Sequence, residues 1–230
     1  MKEIFDIVSL KDVSLVIATY NEEECINYVL DELQQFDLGE IIIVDGNSTD
    51  NTKAIAETYE VKFTSQTKKG WGNAVREGID LTTLPYVTYM DGDGSYNPKS
   101  LIEMRNLIDS NDAVFCSRYK GGAKSPDDTP IRALGNKIFT LIVKVLFGPK
   151  ISDSLFFYPM FKKTILNDFN LDSDDFTLCL ELPVKVHQKG LKYVEILSEE
   201  RERYAGITKV NALKDGFKIL LGILALRSNL

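Results

Sequence analysis

Apolar positions in the first half of this chain follow two alternating rhythms. Short β-branched or aromatic runs at 13–18, 41–44, 61–63, 87–90 and 113–116 read as strands. Between them, residues 22–36, 50–59, 71–81 and 99–108 space their apolar positions three and four apart, as amphipathic helices do. Asn21 and Asp50 stand where helix N-caps belong, and Pro98 suits the first turn of the helix ahead of Leu101. This β-α-β-α order predicts an α/β fold with a largely parallel sheet flanked by helices. Open sheets of this kind bind ligands beyond the carboxyl ends of their strands. Thr19-Tyr20-Asn21-Glu22, Asp45-Gly46-Asn47-Ser48 and Asp91-Gly92-Asp93 all fall at such ends.

Two further helical patterns, at 134–147 and 213–226, are more apolar. The first combines Ile138, Phe139, Leu141, Ile142, Val145, Leu146 and Phe147 with Lys137 and Lys144, which fits an interfacial amphipathic helix. The second is too short to span a bilayer. Core, a homodimer surface and peripheral membrane contact all fit such helices. No unbroken apolar run reaches about 18 residues, so no spanning helix is expected.

Composition narrows the class. The length of 230 residues, 44% hydrophobic and 27% charged, suits one globular domain over 1–230. The acidic first residues lack an apolar h-region, so no secretory signal is expected and the cytoplasm is the default location. Cys25, Cys116 and Cys179 are odd in number and widely spaced, and read as buried free thiols. His187 is the only histidine, which argues against a histidine metal site or a Ser-His-Asp triad. Residues 118–163 hold nine Lys or Arg against three Asp, a balance of +6; the total of −7 leaves −13 elsewhere. Nucleic acid calls for a broadly basic footprint, so it is not expected as a partner. A basic segment on an acidic chain suits a small anionic ligand or an anionic membrane surface, although solvated helix faces carry lysines too.

The stretch Tyr86-Val-Thr-Tyr-Met-Asp-Gly-Asp-Gly-Ser95 carries the sharpest chemistry. Aspartate is depleted in strands, yet two stand one residue apart where a strand ends. Such a pair suits Mg²⁺ or Mn²⁺ held against a diphosphate. Taken alone, a surface turn has the same residues.

The motifs together resemble glycosyltransferase family 2, the nucleotide-sugar enzymes of GT-A fold. Val16-Ile17-Ala18-Thr19-Tyr20-Asn21-Glu22 resembles the family's opening strand, and Ile42-Ile43-Val44-Asp45-Gly46-Asn47-Ser48-Thr49-Asp50 its second strand and turn. Lys69-Gly70-Trp71-Gly72-Asn73-Ala74 is similar to its glycine-rich turn, and Met90-Asp91-Gly92-Asp93 to its metal-binding D-x-D. Cys116-Ser117-Arg118-Tyr119 and the segment Arg203-Tyr204-Ala205-Gly206-Ile207-Thr208-Lys209 resemble the polyprenyl- and dolichyl-phosphate sugar transferase branch. The resemblance covers about 13–226. It implies a single GT-A domain with C-terminal helices, a nucleotide-sugar half to about 118 and an acceptor half from about 119.

The resemblance also implies roles. Asp93 and Asp91, with Ser95, would hold Mg²⁺ or Mn²⁺. Ala18, Tyr20, Glu22, Val44, Asp45 and Gly92 would join the two aspartates around the nucleotide sugar. Arg118, Arg132, Arg203 and Lys209 would meet the donor and acceptor phosphates, with Arg118 in the catalytic set. Many members carry Asp-Asp where this chain has Asp45-Gly46, so the base is not assigned. The family's Asp-x-x-Ser-Gly-Phe is here Asp153-Ser154-Leu155-Phe156-Phe157, without the glycine. No general base stands out. A sugar hydroxyl needs one, whereas a phosphate monoester is already ionised near neutrality. Glu181 and Asp153 are the acids to test if the acceptor is a hydroxyl. The expectation is a metal-dependent inverting hexosyltransferase acting on a polyprenyl or dolichyl phosphate. The alternatives are a saccharide acceptor, and a non-catalytic protein that binds nucleotide sugars.

Overall fold

The computed structural model describes residues 9–122, 125, 129–156, 158–207 and 212–228. Its first half alternates β1 (Leu10–Thr19), α1 (Ile26–Leu33), β2 (Leu38–Asp45), α2 (Thr52–Ala56), β3 (Lys62–Ser65), α3 (Trp71–Leu81), β4 (Tyr86–Asp91), α4 (Ser100–Ile108) and β5 (Ala113–Ser117). The second half adds α5 (Pro130–Phe147), β6 (Pro159–Lys162), α6 (Lys163–Asn167), α7 (Leu178–Gln188), β7 (Tyr193–Leu197) and α8 (Ala212–Ser228). The strands form one seven-stranded sheet in the order β3-β2-β1-β4-β6-β5-β7. Neighbours are parallel except at β6, which runs antiparallel to both β4 and β5. The α/β class and the mostly parallel sheet are therefore as the hydrophobic pattern predicts.

Both faces of the sheet are covered, which explains why the strands are continuous apolar runs rather than alternating ones. Leu15, Ile17, Ile43 and Met90 pack with Ile26, Leu30 and Leu33 of α1 and Leu101, Met104 and Ile108 of α4. The alternate positions Val16, Val44 and Tyr89 pack with Ala74, Val75 and Ile79 of α3 and Leu178, Leu182 and Val186 of α7. A smaller cluster joins Val143 and Phe147 of α5, Leu180 and Val184 of α7, and Ile219 and Ile223 of α8. The three cysteines are buried and free.

Register brings the polar clusters together. Ala18 of β1 lies opposite Asp91 of β4, and Thr19 lies opposite Asp45 of β2. All three predicted clusters consequently emerge at one edge.

Some local expectations change. The first helix begins at Ile26, not Glu22. Asn21 takes a left-handed φ of 51° and its side-chain oxygen accepts from Thr49 N at 2.8 Å, so it does not cap α1. The Glu22 and Glu23 N–H groups donate instead to Thr52 Oγ1 and Asp50 Oδ2. Asp50 does hold the start of α2, with Oδ1 accepting from Thr52 N at 3.0 Å. β6 and β7 escape the pattern reading. β6 is four residues long and opens on Pro159, a residue that cannot donate to a ladder.

Candidate active site

The turn after β4 carries two differently tethered carboxylates. Asp91 Oδ1 accepts from the indole Nε1 of Trp71 at 2.5 Å. Asp93 Oδ1 accepts from Ser95 N at 3.0 Å and Ser95 Oγ at 2.7 Å. Asp93 Oδ2 faces Arg203 Nη1 at 3.1 Å, and the other terminal nitrogen of Arg203 pairs with Glu22 Oε2. Among the described residues, the buried Arg203 Nε has no hydrogen-bond partner. Burial first, and then the neighbouring Asp93 charge, push the Asp91 carboxyl up to about 8, against the opposing donation from Trp71.

Arg203 reaches this turn on a docked segment. Arg201 N donates to Ser95 O at 2.8 Å and Tyr204 N to Asp93 O at 3.0 Å. The Tyr204 ring stacks on Tyr28 with centroids 4.0 Å apart. Arg201 grips Glu32 through two contacts of 2.8 Å.

The glycine-rich turn before α3 is pressed against residues 173–175. Gly70 has a φ of 125°, and a Cβ on it would collide with the Asp174 carbonyl. A Cβ on Gly72 would collide with the carbonyls of Asp175 and Ser173. Glycine is therefore required for close approach at both positions. Asn73 N completes the contact by donating to Asp174 O at 3.1 Å.

A cavity of about 950 Å³ opens over these groups. Ala18, Tyr20, Glu22, Asp91, Gly92, Asp93, Ser95, Arg118, Arg132 and Arg203 all line it. Val44 and Asp45 are not among the lining residues. Val44 is fully buried under α3, and the Asp45 carboxylate is spent on its own turn, accepting from Thr19 Oγ1, Ser48 N and Ser48 Oγ. Lys209 and Phe157 lie outside the described residues. Arg118 is buried and already bound by Asp153 Oδ2 at 2.8 Å and Oδ1 at 3.1 Å, with Glu200 at 3.4 Å. Burial alone would lower its pKa, but these carboxylates outweigh that and raise it well above its ordinary value. Asp153 is therefore committed to Arg118. Glu181 accepts from the backbone of Asp172 and Ser173 and pairs with Lys185 at 2.8 Å, which ties α7 to its preceding loop.

Sequence reasoning missed several lining residues. Asn47, Gln66, Lys69, Trp71, Phe176, Glu200 and Asp215 also line the cavity. Asn47 left a signal in the polar cluster after β2, and Lys69 and Trp71 in the glycine-rich turn, Trp71 as the chain's one tryptophan between two glycines.

The donor set fits a hard divalent cation. Two carboxylates crowd one lip, each with one oxygen fixed by a neutral donor. Arg203 supplies the positive charge now beside Asp93. Among the described residues no group of three or more His, Cys, Asp or Glu is placed to hold a metal ion. Mg²⁺ keeps several waters and needs few protein ligands.

Comparison with known proteins identifies the chain. A model of the family described as Glycosyl transferase family 2 matches residues 14–169. The glycosyltransferase AglJ of Haloferax volcanii is 30% identical over 91% of this chain and 70% of its own length. The dolichyl-phosphate hexose transferase of the same organism is 29% identical, covering 90% of each chain. The glucosyl-3-phosphoglycerate synthase of Mycobacterium tuberculosis, solved with Mn²⁺, uridine diphosphate and glucosyl-3-phosphoglycerate, superposes with a TM-score of 0.74. It is 17% identical over 94% of this chain and 80% of that one. The same synthase has also been solved with Mg²⁺ and uridine diphosphate. With its edge of polar clusters and its D-x-D turn, the chain belongs to glycosyltransferase family 2 and is a glycosyltransferase of GT-A fold.

Proposed function

We propose that this glycosyltransferase moves a hexose from a nucleotide diphosphate sugar to a polyprenyl or dolichyl phosphate, with inversion. The observation that carries this reading is the composition of the cavity. Its lining combines Asp91, Asp93 and Arg203 with the apolar Ile131, Phe139, Leu155, Phe176 and Ile219, the last four of which belong to or pack against the cluster joining α5, α7 and α8. A diphosphate suits the charged residues and a lipid chain the apolar ones. The similarity to the dolichyl-phosphate hexose transferase of Haloferax volcanii supports the same acceptor class.

In this reading the half to about 118 takes the nucleotide sugar and the half from about 119 takes the acceptor. Tyr20, Glu22 and Ala18 border the nucleoside. An acceptor phosphate oxygen attacks the sugar's anomeric carbon as the bond to the departing diphosphate breaks, and the diphosphate leaves with the electron pair. Asp93 and Asp91 would hold Mg²⁺ or Mn²⁺, which supplies Lewis-acid stabilisation of the leaving group. Arg203 presents an unpartnered Nε–H and, once released from Asp93, a guanidinium suited to bidentate phosphate binding. Arg132, in the first turn of α5, borders the acceptor side. Arg118, held by Asp153, contributes a fixed positive charge to the wall.

Peripheral membrane contact belongs to the same reading. Among the described residues no helix is long and apolar enough to cross a membrane. Yet Ile131, Leu134, Ile138, Leu141 and Val145 line one exposed stripe of α5, and Phe217, Leu220, Leu221 and Leu224 one of α8. Exposed Lys137, Lys144, Lys214 and Lys218 flank them, as suits an anionic leaflet.

One observation favours a second reading. Asp215 of α8 lines the cavity and offers a carboxylate for deprotonating a hydroxyl acceptor. Turnover with short-chain polyprenyl phosphate set against free saccharides separates the two. Transfer to lipid phosphate that survives Asp215→Asn supports the first; transfer to saccharides alone, lost in that variant, supports the second.

A further inference from the structure

We infer that Trp71 is a positioning residue for Asp91, setting which carboxylate oxygen faces the sugar-nucleotide diphosphate and its cation. This rests on the metal-assisted reading above. An indole N–H donates and never accepts, so its partner must be an acceptor. Here that partner is Asp91 Oδ1 at 2.5 Å.

The indole has little freedom to leave. Its ring meets Tyr89 edge-on, with centroids 5.8 Å apart and planes at 71°, and Phe176 at 5.5 Å. Trp71 also opens α3, whose start is locked to residues 173–175 by the close approach at Gly70 and Gly72. The loop that presses on the glycines thus leads directly into the ring that presses on the indole.

The two carboxylates of the turn are handled alike. Ser95 fixes Oδ1 of Asp93, and Trp71 fixes Oδ1 of Asp91. Both donors are neutral. Each occupies one oxygen and sets the rotation of its carboxyl group; the second oxygen of Asp93 meets Arg203. Groups that orient metal ligands in this way commonly change metal affinity by 10–100-fold when removed.

The test uses Trp71→Phe, which keeps an aromatic ring in the packed site and removes the N–H donor together with the second ring of the indole. Binding of Mn²⁺ in the presence of UDP is followed by electron paramagnetic resonance of the free ion. The expected result is a loss of about tenfold or more in Mn²⁺ affinity, with an unchanged far-ultraviolet circular dichroism spectrum. A second measurement needs no variant. Trp71 is the sole tryptophan, so its emission in the wild-type protein should be quenched by Mn²⁺ with the same midpoint as the resonance titration. Wild-type Mn²⁺ affinity in Trp71→Phe, or emission indifferent to Mn²⁺ that resonance shows to be bound, overturns the inference while leaving the metal reading intact. Failure of the wild-type protein to bind Mn²⁺ with UDP overturns the metal reading and this inference with it.

Discussion

Arg203 sits between Asp93 and Glu22, and so neutralises one of the two carboxylates proposed to hold a metal ion. Two substitutions separate charge balance from catalysis. Asp93→Ala should lower turnover by about 10³-fold or more, since metal stabilisation of a leaving group is worth several kcal/mol. Its melting temperature should stay near wild type, because the partnered side chain lies at the cavity lip and not in the core. Full activity in that variant would remove Asp93 from the metal site. Arg203→Ala should cost roughly 10–100-fold in kcat/KM for the sugar nucleotide, the loss expected of hydrogen bonds to charged groups. Steady-state kinetics across donor concentrations measures this directly. These residues were legible because D-x-D at a strand end and Arg before a glycine are compact local signals. The places of Asp215 and Glu200 in the lining were not, because they depend on neighbours far away in the chain. For Val44 and Asp45 the family resemblance implied a place around the nucleotide sugar; the structure puts Val44 in the core and has Asp45 accept from Ser48.

Elements carry a second group of effects. Glu40 of β2 accepts from Ser14 of β1 at 2.5 Å, Lys62 of β3 at 2.6 Å and Thr83 N ahead of β4 at 2.6 Å. Burial alone would raise its pKa, but these donors outweigh it and hold the carboxyl at about 2, against an ordinary 4.5. A depressed folded pKa means the stabilisation is complete above about 4.5 and is lost as pH falls toward 2. Glu40→Gln should therefore lower stability at neutral pH, on the order of 2 kcal/mol after allowing for the exposed Lys62 end. It should also flatten the acid dependence of the melting temperature between those pH values. An unchanged melting curve would show that the network contributes nothing. The α5 and α8 stripes predict vesicle binding. Leu141→Asp combined with Val145→Asp should weaken binding to vesicles containing anionic lipid by about tenfold or more, since each apolar side chain contributes 1.5–3 kcal/mol when buried. Nucleotide binding should not change. Equal sedimentation of both proteins with vesicles would exclude α5 as the contact. Their helical pattern was plain in the sequence, but periodicity alone does not tell an apolar face that meets the core from one that meets solvent. Only packing showed α5 turning Val143 and Phe147 inward and Leu141 and Val145 outward.

At the scale of the molecule, one mostly parallel sheet brings three loop clusters to an edge, and an antiparallel strand from the second half knits that half onto it. The first arrangement was readable because each strand announced itself as an apolar run before a polar turn. The second was not, because β6 is short and proline-led, and its place between β4 and β5 depends on contacts more than 40 residues apart. The cavity lining mixes charged and apolar residues, as the proposed acceptor, both phosphate and lipid, would require. The most direct measurement supplies radiolabelled nucleotide sugars, Mn²⁺ and short-chain polyprenyl phosphate, and follows the label into the organic phase. The expected result is organic-phase label that disappears with chelator and in Asp93→Ala. Label that reaches only water-soluble saccharides, or organic-phase label that persists without metal, would contradict the proposed reaction.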